Sequence, residues 1–123
     1  MTWLMVAMGG AAGSVLRYGA HRVAVNYAGP ETVLGTLAVN LTGSFALGFL
    51  ATMFLGRIPV PDEARNFLTF GLLGGFTTFS ALSYQTVYLM DKGLVLPALA
   101  GLLGNVVLGL LVAYLGVGLA RSM

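Results

Sequence analysis

Charged side chains interrupt this chain at ten positions, and the stretches between them are almost wholly apolar. The charges fall at Arg17, Arg22, Glu31, Arg57, Asp62, Glu63, Arg65, Asp91, Lys92 and Arg121. They leave uncharged runs Met1–Leu16, Thr32–Gly56, Asn66–Met90 and Gly93–Ala120, of 16, 25, 25 and 28 residues. A helix needs about 20 mostly apolar residues to cross a bilayer core. Three runs meet that length, and the first does so once Arg17 sits near the interface. The pattern predicts an all-α membrane protein forming a single four-helix transmembrane domain over residues 1–123, with helices at about 2–21, 33–55, 66–90 and 94–119. Gly29-Pro30, then Pro59 and Pro61, then Asp91-Lys92-Gly93 supply the turns between them. Pro97 stands in the first turn of the fourth helix, where a missing backbone donor costs little.

Composition agrees, with 58% hydrophobic and only 8% charged residues, against roughly 25% charged in soluble domains. With no cysteine there are no disulfides, thiolate chemistry or cysteine-bound metals. The single histidine, His21, cannot build a histidine metal cluster. All four carboxylates lie in predicted loops, so no acid pair sits in the membrane for proton transfer, and an enzyme is not expected. A net charge of +2 without a basic patch excludes nucleic acid as a partner. The N-terminal apolar run lacks a basic leader and a cleavage site before a polar domain, so it reads as a retained helix.

Orientation is evenly weighted. Arg57, Arg65 and Arg121 fall on the N-terminal side of the membrane, and Arg17, Arg22 and Lys92 on the other. The positive-inside rule acts through an excess of basic residues, and this chain has none. Insertion both ways round follows, with head-to-tail pairing of two copies. The alternative is a fixed orientation in which one basic residue dominates.

Small and polar residues mark the interior. Gly9 and Gly13, Gly71 and Gly75, and Gly101, Asn105 and Gly109 recur at a spacing of four and suit close helix packing. Thr36, Asn40 and Ser44 share one face of the second helix, where the Asn40 amide either bonds a neighbouring helix or lines a wet path. At the centre of the third run stands Gly71-Leu72-Leu73-Gly74-Gly75-Phe76-Thr77-Thr78-Phe79-Ser80. Paired glycines and three hydroxyls weaken a helix there, so a break near Gly74–Thr78 is one reading. An unbroken helix with hydroxyls bonded to the preceding turn is the other. A break frees carbonyls for a small cation and exposes a helix N-terminus that favours anions. A path with Arg17 at its mouth and no buried acid suits an anion. The electropositive ring edge of Phe79, between Thr78 and Ser80, adds to this.

The strings Gly9-Gly10 to Gly13 with Arg17-Tyr18, Gly35-Thr36-Leu37 with Val39-Asn40 and Gly43, and Gly74-Gly75-Phe76-Thr77-Thr78-Phe79-Ser80 resemble those of the small bacterial fluoride channels called Fluc or CrcB proteins. The likeness runs over essentially the whole chain. It implies a passive channel that exports cytoplasmic fluoride from the cell through the bacterial plasma membrane. It also implies an antiparallel dual-topology homodimer with two pores, a broken third helix, and a structural sodium ion (Na+) on the two-fold axis. By matching position, the carbonyls of Gly74 and Thr77 hold the sodium. Asn40 donates to fluoride, Phe79 lines the pore with Thr78, Ser80 and Ser83 extend a hydrogen-bonding track, and Arg17 lies in a vestibule.

Four positions depart from the family pattern. Leu82 replaces a second pore phenylalanine, Gln85 replaces a glutamate, and Gly101 and Asn105 stand where tyrosine and serine are common. Such a chain is either a divergent homodimer or a non-conducting half of a heterodimer. A small dual-topology multidrug transporter is a further alternative, but it requires an embedded glutamate that Met1–Leu16 lacks.

Overall fold

A computed structural model describes all 123 residues, Met1–Met123. The chain is helical throughout. Helix α1 spans Thr2–Ala28 and α2 spans Leu34–Gly56. Helix α3 covers residues 62–76, α4 is Ser80–Asp91, and α5 is Val95–Ser122. Helices α3 and α4 together form the third long rod, so there are four rods in all.

Three of the rods, Leu34–Gly56, Asp62–Asp91 and Val95–Ser122, are long and apolar enough to cross a membrane. Helix α1, at 27 residues, has the length but not the uniform apolarity, since it carries Arg17, His21 and Arg22. This matches the sequence pattern, in which three runs have full spanning length and the first depends on where Arg17 sits. Helix α1 also runs past His21, its expected end, because charge does not stop a helix. It stops at Gly29, which adopts φ 87° ahead of Pro30 and donates its N–H to the Val25 carbonyl at 2.9 Å. Helix α3 begins at Asp62, four residues before the expected start. Pro61 precedes it, and Asp62 and Glu63 complement the positive end of the helix dipole.

Packing is inverted relative to a water-soluble domain. Only 18 of 123 residues are buried, while Trp3, Leu96 and Leu110 are exposed. Apolar side chains face outward as lipid requires, and the interior is filled largely by glycine and small polar residues. Helix α1 lies against α3 with backbones in contact. A Cβ at Gly9 would stand 2.5 Å from the Phe67 carbonyl oxygen, and one at Gly75 would stand 2.6 Å from that of Gly10. Helix α2 pairs with α5 in the same way, and a Cβ at Gly48 would meet the Ala113 carbonyl oxygen at 2.5 Å.

Two stretches widen into π-helical turns, Phe67–Leu73 in α3 and Gly104–Leu108 in α5. Such turns concentrate at functional sites, and both lie next to the break described below. The short loops pair off at two ends. Lys92 Nζ meets Glu31 Oε1 at 2.8 Å, and Arg57 donates to the Arg121 carbonyl at 2.7 Å. Hydrogen bonding to Glu31 first, and then to Tyr88, raises the Lys92 pKa above the ordinary lysine range. As pH rises, that link is therefore lost later than the charge of an unpaired lysine would be.

Candidate functional site

The third rod breaks at Thr77, Thr78 and Phe79. Gly74 and Gly75, where the expected break began, stay helical, with φ −63° at Gly74. Gly75 packs directly on α1, where the place of its side chain is taken by Gly10 backbone. The chain leaves the helix at Thr77, which is extended at φ −83°, ψ 160°.

Asn40 on α2 replaces the helical bonds that the break removes. Its Oδ1 accepts the Thr78 N–H at 2.8 Å, and its Nδ2 donates to the Thr78 carbonyl at 3.0 Å. Non-helical backbone at membrane depth is tolerable only when protein or water satisfies it. One amide satisfies both groups of Thr78, each of which would cost about 1–3 kcal/mol if buried unpaired. The second N–H of Asn40 reaches Asn105 Oδ1 at 2.7 Å, and Asn105 Nδ2 donates in turn to the Gly101 carbonyl at 2.8 Å. Asn105 belongs to the π-helical turn of α5 and is buried.

These exchanges of partner free two carbonyls. In a continuous helix the Thr78 N–H would bond Gly74, and the Ala81 N–H would bond Thr77. Thr78 is bonded to Asn40 instead, and the Ala81 N–H goes to Thr78 Oγ1 at 3.2 Å. The Gly74 and Thr77 carbonyls thus lose their helical donors. Such oxygens suit a hard cation.

Two cavities meet at the break. One, of about 620 Å³, includes Arg17, His21, Thr36, Thr78, Tyr84 and Gln85 in its lining. The other, of about 410 Å³, includes Asn40, Ser44, Thr77, Thr78, Phe79, Leu82 and Asn105. Thr78 is the one residue common to both linings. The polar face of α2 links them as well, with Thr36 on the first and Asn40 and Ser44 on the second. No carboxylate lines either cavity. Arg17 stands in the first without an acidic partner, because the two ion pairs of the chain, Arg65–Asp62 and Lys92–Glu31, lie elsewhere. Gln85 donates to the Thr32 carbonyl at 2.7 Å, and its buried Oε1 has no partner in the chain.

The residues singled out in the sequence are therefore partly gathered. Asn40, Thr77, Thr78, Phe79 and Leu82 share the second cavity, and Arg17 shares the first with Thr78. Ser80 and Ser83 line neither. The Ser80 hydroxyl is 3.5 Å from that of Thr78, and the Ser83 hydroxyl donates back to the Phe79 carbonyl at 3.0 Å. Gly74 contributes backbone alone. Asn105 and Gln85 were read in the sequence only as departures and small-face positions, and their bonds depend on contacts with distant residues. The signal for Asn105 was an amide placed midway along an apolar run.

Apolar rods around a broken, amide-clamped helix flanked by two carboxylate-free cavities define an integral membrane protein of the ion-conducting class. The family model described as CrcB-like protein, Camphor Resistance (CrcB), matches residues 4–117. The chain belongs to this CrcB family. It is 43% identical over 120 residues to the fluoride-specific ion channel FluC of Rhizobium meliloti, covering 98% of this chain and 96% of the relative. It is 44% identical over 121 residues to a fluoride-specific ion channel FluC of Thermus thermophilus, with coverage of 98% and 96%. Against that of Aquifex aeolicus it is 42% identical over 118 residues, with coverage of 96% and 95%.

Proposed function

We propose that this chain is a passive, fluoride-specific channel of the cell membrane that works as an antiparallel homodimer of four-span subunits. The observation carrying the reading is the Thr77–Phe79 break clamped by Asn40 between two acid-free cavities, in a chain 42–44% identical to three fluoride-specific ion channels.

Fluoride is small and holds its water tightly, so a selective path must replace that water with close donors and electropositive edges. Arg17 supplies positive charge in the larger cavity, which raises the local concentration of anions. Thr78 hands the ion from one cavity to the other. Asn40 offers its amide, Phe79 its ring edge, and the hydroxyls of Thr78, Ser80 and Ser83 extend the track. Leu82 stands where a second ring would lie. With no carboxylate in either lining, no full negative charge repels an anion or draws in a cation.

The Gly74 carbonyl, freed by the Asn40 clamp, and the Thr77 carbonyl, freed by the turn of the Ala81 N–H to Thr78 Oγ1, would hold a sodium ion shared with the second copy. Bound there, sodium supplies a fixed positive charge and a cross-link between subunits. Its site needs no side-chain ligand, because backbone oxygens satisfy a hard monovalent cation. The even division of basic residues supports insertion of the two copies in opposite senses.

The test is efflux from liposomes containing purified protein, comparing fluoride with chloride. Rapid fluoride loss with chloride retained is expected, and liposomes that hold both ions would overturn the reading.

A further inference from the structure

Both N–H bonds of the Asn40 amide are already spent within the chain. One goes to the Thr78 carbonyl at 3.0 Å and the other to Asn105 Oδ1 at 2.7 Å. An anion can gain a hydrogen bond from Asn40 only by displacing one of these acceptors. The Thr78 bond is half of a two-point clamp, closed by the Thr78 N–H on Asn40 Oδ1 at 2.8 Å. The Asn105 bond is a single contact, so it is the one that yields.

Asn105 is in turn held in one orientation. Its Nδ2 donates to the Gly101 carbonyl at 2.8 Å, which leaves Oδ1 as the atom facing Asn40. Asn105 is buried and lines the 410 Å³ cavity beside Asn40, Phe79 and Leu82. The acceptor is thus fixed against Asn40 on the wall of that cavity.

We propose that Asn105 is a specificity-determining positioning residue whose amide oxygen competes with the permeating anion for the Asn40 N–H. The proposal rests on the reading of Asn40 as a fluoride contact. Fluoride concentrates its charge on the smallest halide and forms a short, charge-assisted hydrogen bond that outcompetes a neutral amide oxygen. Chloride is larger and a weaker acceptor, and leaves the Asn40–Asn105 bond in place. The internal bond therefore sets a threshold on acceptor strength, in addition to any limit set by size. No proton moves and no covalent bond changes in this exchange.

The experiment uses the full-length channel in liposomes and measures fluoride and chloride efflux for Asn105→Ser, Asn105→Ala and Asn40→Ala, with size-exclusion elution as the check on folding. Serine can return its hydroxyl to the Gly101 carbonyl, and alanine removes all polar function. Loss of one neutral hydrogen bond of about 1.4 kcal/mol corresponds to about tenfold. The fluoride-to-chloride ratio is expected to fall about tenfold in each folded Asn105 variant through a rise in chloride efflux relative to fluoride. A purely structural role for Asn105 would lower both fluxes together and leave the ratio unchanged. An unchanged ratio in either folded Asn105 variant, with Asn40→Ala inactive, overturns the competition while leaving Asn40 in the path. Normal fluoride efflux from Asn40→Ala overturns both. Failure of both Asn105 variants to fold makes the residue a structural requirement and overturns the proposal.

Discussion

At the scale of single residues, the molecule turns on what one side chain does to the backbone of another. Asn40 could be recognised in the sequence as an amide too deep to be left unpaired, but its partner could not. Thr78 is 38 positions away, and only the crossing of α2 and the third rod brings the two together. The hydroxyls were equally ambiguous: Ser83 bonds its own helix, whereas Thr78 Oγ1 takes the Ala81 N–H and helps start α4. Two substitutions follow from these contacts. Asn40→Asp keeps the oxygen that receives the Thr78 N–H, but sets a carboxylate against the Thr78 carbonyl and Asn105 Oδ1. Fluoride efflux is expected to drop to the background of empty liposomes while the elution volume of the protein is unchanged. Normal efflux would take Asn40 out of the path. Leu82 is buried on the second cavity, so Leu82→Phe restores a ring beside Phe79. Efflux equal to or above that of the parent is expected, and a folded but inactive variant would show that the lining works through other groups.

Secondary-structure elements are held together here by glycine, since lipid gives no hydrophobic drive for one helix to leave it for another. The spacing of Gly9, Gly13, Gly71 and Gly75 showed which faces would touch, and the α1–α3 contact uses those faces. What the spacing did not show was that Gly75, packed in that contact, stays helical and the break falls at Thr77. A glycine pair lowers helical stability in isolation, but packing against α1 offsets that cost. The π-helical turns at Phe67–Leu73 and Gly104–Leu108 were likewise outside what periodicity reveals, because local propensity does not separate them from α-helix. Gly75→Val should force α1 and α3 apart, at a cost of about 1–3 kcal/mol for overpacking. Its thermal unfolding midpoint in detergent should lie several degrees below that of the parent. Gly118→Ala, where an added Cβ has no neighbour within 4 Å, should leave the midpoint unchanged or higher. Equal midpoints for the two variants would mean that the α1–α3 contact does not govern stability.

For the whole molecule, the governing quantity is the distribution of charge across the membrane. Lys92 pairs with Glu31 at one end, and Arg57 bonds the Arg121 carbonyl at the other, so the basic residues divide evenly between two faces. Because the chain has no cysteine, a single Met123→Cys label reports orientation without background. Roughly half of the label should react with a membrane-impermeant reagent from outside the cell and the rest only after permeabilisation, as balanced insertion requires. Adding Ile58→Lys should bias insertion to one sense and, if two oppositely inserted copies form the channel as proposed, reduce fluoride efflux. Labelling from one side alone in the Met123→Cys protein would contradict antiparallel assembly.

The sequence by itself determined the membrane setting, the number of rods, the absence of buried acids and the mid-membrane position of the polar string. These depend on composition and spacing along one dimension, which transfer free energy reads directly. Tertiary structure alone decided that Asn40 closes on Thr78, that Asn105 holds the remaining N–H, that the break begins at Thr77, and that Thr78 joins two cavities. The physical reason is that a buried polar group must find a partner, and which partner it finds depends on how helices far apart in sequence cross in space.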